Sequence, residues 1–255
     1  MSQFQFEPTE DGSPTARILT ADQEAPSEAM HSLKGAFSET VYIYGAALEK
    51  ASKEGFPTRV LSMGLGIGYV EMLAAAIALR ENREIEGESF EIIPELREYF
   101  KAWLAREGEC PEEFKKAYDD ICTRTGKEIF GDKRNADDIR ASLATAVAED
   151  RWFLRHDLNV DTAFAHKFGV ICFDAFSSKS TPDLWSDDFL KSFLEKAAAP
   201  SCVLSTYACT GALKRALKAE NFEITIKEGF SSKRDSTFAV RVSKEDTPSE
   251  EVLAN

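Results

Sequence analysis

Asp174 ends a nearly continuous apolar run, Phe168-Gly169-Val170-Ile171-Cys172-Phe173, and Ala175-Phe176 follow it. An acid delivered by such a strand into a cleft, and buried beside aromatic rings, is a usable general base. The same residue could instead cap a helix or brace a loop. A second feature is Gly64-x-Gly66-x-Gly68, directly after Arg59-Val60-Leu61-Ser62-Met63. Glycines let the backbone turn tightly and let a ligand approach, and the helix that follows offers unpaired N–H groups. The G-x-G-x-G spacing departs from the G-x-G-x-x-G of dinucleotide sites, which argues against a nicotinamide enzyme. The third is Glu91, placed where a carboxylate can accept two hydrogen bonds from ribose hydroxyls. Its neighbours Glu86, Glu88 and Glu95 keep open an ordinary surface role. Together the glycine loop and Glu91 favour a cofactor containing adenosine. Trp185 is open to two roles, lid or core.

The elements that must position these residues alternate in type. Strand signals at 59–63, 88–93, 151–156, 168–173 and 202–207 are separated by helical stretches at about 69–80, 95–106 and 186–199. Val70, Leu73, Ala74, Ile77 and Ala78 recur at the spacing of one buried helix face. Such alternation implies an α/β fold with a mostly parallel, doubly wound sheet. After a helix at about 211–219, two strands, 222–227 and 236–242, follow without a helix between them, so the last should run antiparallel at or near an edge. Residues 1–40 form an N-terminal extension with a turn at Asp11-Gly12-Ser13-Pro14, 107–150 a helical insertion, and 243–255 a frayed acidic tail, all within a single domain, 1–255.

Composition excludes several classes. Of 255 residues, 31 are Lys or Arg and 44 are Asp or Glu, a formal charge of −13 that rules out bulk-charge binding to nucleic acid. No apolar stretch is long enough to span a bilayer and no signal peptide is evident, so the cytoplasm is the expected location and no membrane is involved. Five cysteines without a C-x-x-C pair, and three histidines, argue against a disulfide framework and against a metal site.

The stretch Phe173-Asp174-Ala175-Phe176 through Pro182 to Trp185 resembles the D-A-F-x-P-x-x-N-P-x-x-W signature of the tRNA 5-methylaminomethyl-2-thiouridine methyltransferases. Five further segments agree in order. Asp11-Gly12-Ser13-Pro14-Thr15 is similar to the family's D-G-S-x-T, and His31-Ser32-x-x-Gly35-Ala36-x-x-Glu39 to its H-S-x-x-G-A-x-x-E. Gly64–Gly68 is similar to its G-x-G-T-G loop. Thr206-Tyr207 and Gly211 are similar to its T-Y-x-x-x-G pattern, with Arg215 one residue beyond the place of its arginine, and Gly229 with Lys233-Arg234 to its G-x-x-x-K-R close.

The resemblance implies a Rossmann-like methyltransferase fold that binds S-adenosylmethionine and methylates the aminomethyl nitrogen of a tRNA wobble uridine. On that basis Gly64, Gly66 and Gly68 would line the cofactor, Glu91 would hold its ribose, and Asp157 would lie near its adenine. Asp174 would orient and deprotonate the amine, Phe176 and Trp185 would wall the base pocket, and Lys233 and Arg234 would face substrate. The partner would be a tRNA anticodon loop, with room for an enzyme that supplies the aminomethyl uridine intermediate. Ser178, Thr181, Ile67 and Ser62 depart from the family's residues at their positions. Two other functions compete: a small-amine methyl- or aminopropyl-transferase of the same fold, and a cofactor-binding protein that has lost catalysis. Residues 211–241 hold seven bases against four acids, a net +3 that would face tRNA.

Overall fold

A computed structural model describes residues 3–19, 29–131, 136–175, 181–232 and 235–243. The chain opens with a hairpin, β1 (Phe4–Pro8) and β2 (Pro14–Ile18), paired antiparallel as a separate two-stranded sheet. Helix α1 (Ala36–Thr40) passes through one π-helical turn, Val41–Gly45, into α2 (Ala46–Lys53). The alternating body then runs β3 (Val60–Met63), α3 (Tyr69–Arg80), β4 (Gly87–Phe90) and α4 (Pro94–Ala105). Two helices follow, α5 (Glu112–Phe130) and α6 (Ala136–Ala148), before β5 (Trp152–Arg155) and β6 (Phe168–Phe173). The last part holds α7 (Asp187–Ala197), β7 (Ala198–Thr206), α8 (Gly211–Ala219), β8 (Glu223–Lys227) and β9 (Ser236–Arg241).

The main sheet has the order β5-β4-β3-β6-β7-β9-β8. Its first five strands pair in parallel, and β9 is antiparallel to both neighbours with β8 at the edge. Strand order reverses between β3 and β6, so the crevice beyond their carboxyl ends is where this architecture places ligands. Both strands are buried along their whole length, as expected for strands covered on two faces. Alternate side chains feed opposite layers. Val60, Val170 and Val203 pack with α2 and α3, and Leu61, Ile171 and Leu204 with α7 and α8.

Three local features differ from expectation. Helix α3 is buried from Tyr69 through Ala78 on every side, because α5 and α6 fold over the face turned away from the sheet. Helix α7 stops at Ala197, and β7 starts four residues before Cys202, where the strand was expected. Strand β4 ends at Phe90, which leaves Glu91 in the loop beyond it. The 243–255 tail lies outside the described residues beyond Ser243.

Candidate active site

The glycine loop is built by backbone bonds between β3 and β4. The Gly64 and Leu65 N–H groups both donate to the Phe90 carbonyl (3.0 and 3.1 Å), and Gly66 N–H donates to Glu91 Oε2 (3.0 Å). Glu91 Oε1 accepts from Ile93 N–H (3.0 Å), and the Arg97 guanidinium bonds the Glu91 carbonyl. Burial pushes the Glu91 carboxyl up, against the opposing effect of those N–H donors and of Arg97. Beneath the loop, burial of Glu71 on α3 pushes its carboxyl up to about 7, opposed by a hydrogen bond from Ser89, whose hydroxyl also accepts from Trp152 Nε1.

Asp174 reaches the same place from β6. Its N–H donates to the Met63 carbonyl (3.0 Å), and its Oδ1 accepts the Tyr44 hydroxyl (2.6 Å). Gly64, Gly66, Glu91, Asp157 and Asp174 line one cleft of about 220 Å³. Its other walls come from the N-terminal extension through His31 and Ser32, from Glu39 and Tyr44 on the first helices, and from Ile92, Leu184 and Tyr207. The described lining includes four carboxylates, Glu39, Glu91, Asp157 and Asp174, and no Lys or Arg.

Not every expected residue reaches the cleft. Gly68 is the N-cap of α3 with φ 79°, and a Cβ there would lie 2.6 Å from the Phe100 ring, so it serves helix packing away from the lining. Trp185 is buried against Phe173 (ring centroids 4.9 Å apart) within the core, and Leu184 takes the wall beside it. Phe176, Lys233 and Arg234 lie outside the described residues, as does Ser178. Asp157 is exposed and accepts from Asn159 Nδ2 (3.3 Å). The basic segment is partly spoken for: Arg215 pairs with Asp187, Arg241 with Glu220, and Lys227 lies over the Phe238 ring. Tyr44 carried no signal, because a π turn breaks the 3.6-residue periodicity from which a helix face is read.

The D-G-S and H-S-x-x-G-A segments meet at the start of α1. Its first three N–H groups donate to side chains from the hairpin turn: Ala36 to Thr9 Oγ1 (3.2 Å), Phe37 to Ser13 Oγ (3.0 Å) and Ser38 to Asp11 Oδ2 (3.0 Å). These are the donors a helix leaves unpaired at its start. At Gly35, φ is 143° and a Cβ would lie 2.8 Å from Asp11 Oδ2, which explains the glycine. Ser32 N–H in turn donates to Glu39 Oε2 (2.9 Å) and His31 N–H to Thr15 Oγ1 (3.2 Å), which fixes the cleft wall beside Gly66. Burial opposes ionisation of Asp11, but hydrogen bonds from Ser13 and Ser38 outweigh it and hold the carboxyl well below its ordinary range.

A depressed carboxylate stabilises the fold above its unfolded pKa of about 4 and loses that contribution as pH falls toward its folded value. Asp11→Asn should therefore cost about 1–2 kcal/mol at pH 7. The difference from the parent protein should narrow steadily below about pH 4 in urea titrations. A gap that stays constant down to pH 2.5 would remove the charge from this account.

A family model described as an S-adenosyl-L-methionine-dependent methyltransferase matches residues 130–242. The bifunctional tRNA 5-methylaminomethyl-2-thiouridine biosynthesis protein MnmC of Hahella chejuensis is 35% identical over 67 residues, 26% of this chain and 10% of that protein. The crystal structure of MnmC2 from Aquifex aeolicus superposes with a TM-score of 0.61 at 23% identity, covering 95% of this chain and 73% of that one. The chain is an S-adenosyl-L-methionine-dependent methyltransferase with similarity to MnmC. An uncharacterized protein of Methanocaldococcus jannaschii is 30% identical to this methyltransferase over 236 residues, 91% of the chain and 58% of that protein. The methyltransferase thus spans about a tenth to somewhat over half of these curated relatives.

Proposed function

We propose that this methyltransferase alkylates the amine nitrogen of an aminomethyl group on a tRNA wobble uridine, with Asp174 as the base. The observation that carries the proposal is a cleft whose described lining holds four carboxylates and no Lys or Arg, with Asp174 beside the glycine loop. Such a lining attracts a cationic amine and repels phosphate. The Hahella relative, named for 5-methylaminomethyl-2-thiouridine biosynthesis, supports the choice of acceptor.

The residues present fit the cofactor. Glu91 is buried, lies just beyond the end of β4 and spends one lone pair of each oxygen on a backbone N–H, which leaves acceptor capacity for two ribose hydroxyls. Gly64 and Gly66 present bare backbone to the cleft, and Asp157 lines it beside His156. When bound, S-adenosylmethionine supplies an electrophilic methyl group on a sulfonium.

An alkylamine enters protonated near neutrality and cannot attack until it loses a proton. Asp174 takes that proton directly or through a water and leaves the nitrogen lone pair free to face the methyl group that bound S-adenosylmethionine would supply. The gain comes from holding nitrogen in line with the methyl carbon and from proton removal by a placed carboxylate.

The reading is tested by incubating methyl-labelled S-adenosylmethionine with bulk tRNA and, separately, with spermidine. Label is expected on tRNA. Label on spermidine alone would favour the small-amine reading, which the acidic cleft also suits. Absence of calorimetric heat with millimolar S-adenosylmethionine would end both and leave a protein without catalysis. Glu91→Gln should weaken cofactor binding about 10- to 100-fold, the loss of a charge-assisted pair of hydrogen bonds, with the fold intact by circular dichroism. An unchanged Kd would take Glu91 off the ribose.

A further inference from the structure

Two hydroxyls, one from the first helices and one from just after β7, grip the segment that carries Asp174. Tyr44, 3% exposed, donates its O–H to Asp174 Oδ1 at 2.6 Å, and Tyr207 donates to the Ala175 carbonyl at 2.7 Å. Tyr44 sits in the π-helical turn, a wider turn that recurs at functional sites because it re-aims a side chain within an otherwise regular helix. That turn is pinned to the sheet: Ser205 Oγ on β7 donates to the Ile43 carbonyl at 2.7 Å, two residues before Tyr207. The helix, the sheet and the loop after β6 are therefore tied together around one carboxylate.

We propose that Tyr44 is the positioning residue for Asp174, its hydroxyl fixing the carboxylate toward the acceptor amine. The inference rests on the base role given to Asp174 above. Burial, together with the adjacent Asp174 carboxylate, holds the Tyr44 phenol well above its ordinary range, so it remains a donor across the working pH of the enzyme. A hydrogen bond from a buried phenol to a carboxylate is charge-assisted, limits rotation of the carboxylate and favours its ionised form. A phenylalanine here would fill the same space in the core and lose only the donor.

The test is Tyr44→Phe. With methyl-labelled S-adenosylmethionine and the acceptor that takes label, kcat should fall about 10- to 100-fold, as for a misplaced catalytic group. The KM for S-adenosylmethionine should stay within about threefold, because Tyr44 supports Asp174 rather than the ribose-facing side. The acid limb of kcat/KM should move up by about one pH unit, since the lost donor favoured the charged form. Cys172 and Tyr207 flank Asp174, and His31, Glu39, Glu91, His156 and Asp157 line the same cleft. All of them persist in the variant, so a shift between the two proteins belongs to the Tyr44–Asp174 pair.

A second readout needs no acceptor. In protein labelled with 13C-aspartate, the Asp174 side-chain carboxyl, assigned by its loss in Asp174→Asn, should titrate at higher pH in Tyr44→Phe. An unmoved midpoint, or an unchanged kcat with an unmoved acid limb, overturns the inference while leaving Asp174 as the base. Full activity in Asp174→Asn overturns both.

Discussion

Asp174→Asn should lower methyl transfer by about 10³-fold while the affinity for S-adenosylmethionine changes by less than about threefold. The size follows from what the substitution removes. An amide has nearly the volume of the carboxylate and keeps an oxygen for the Tyr44 hydroxyl, so the segment after β6 has little reason to move. It cannot accept the amine proton, and general-base assistance is worth about 10²–10⁴ in rate. It also removes one of four negative charges from the described lining, which weakens attraction of a cationic amine and adds to the loss.

Cofactor affinity should hold because Asp174 touches the glycine loop through its main chain, where its carbonyl lies against Gly64, while its carboxylate is aimed at Tyr44. Calorimetric titration and single-turnover label transfer measure the two quantities separately. Loss of cofactor binding with chemistry would make Asp174 a cofactor residue. Retained transfer would leave the base to be found among Glu39, Glu91 and Asp157, the other acids of the cleft.

The place of the candidate site was open to sequence reasoning because it depends on two robust signals. An unbroken apolar strand ending in an acid and a strand ending in spaced glycines both deliver their last residues to the carboxyl edge of a parallel sheet, where ligands bind. That the two strands are direct neighbours, with Met63 opposite Phe173, is a matter of strand order that only the structure gives. What escaped depends on tertiary packing. Gly68 reads like its two partners, yet the Phe100 ring claims the space where its Cβ would be. Trp185 reads as lid or core, and as a wall only through the resemblance; Phe173 turns into the α7 layer and draws the indole into the core. The single buried face expected of α3 became burial on all sides because two insertion helices, recognisable only as helix-prone, fold over it. Asp11, Ser13 and Thr9 look like ordinary turn residues. Their value as caps for a helix some 25 residues later appears only when the chain folds back.

The closeness of β3 and β6 also sets the largest expected structural effect, at Gly64. Its φ of 98° is a conformation that side-chain-bearing residues avoid, and a Cβ would stand 2.8 Å from the Asp174 carbonyl oxygen. Neither side can yield cheaply. The Gly64 N–H is bonded to Phe90 and the Asp174 N–H to Met63, so separation breaks the ladder at the point where both site loops begin. Gly64→Ala should cost about 2–5 kcal/mol, combining backbone strain with overpacking. It should also cut methyl transfer more than cofactor loading, because relief of the clash displaces Asp174 itself. Gly55→Ala is the matched control: φ there is 68° and nothing lies within 4 Å of the added carbon, so it carries the conformational penalty alone. Urea unfolding of the two variants, with transfer rates at saturating S-adenosylmethionine, isolates the steric part. Equal losses at the two positions would mean that Gly64 serves only the turn. A larger loss at Gly64, with a fallen rate, would mean that the contact between the cofactor loop and the strand bearing Asp174 sets the distance across which the methyl group moves.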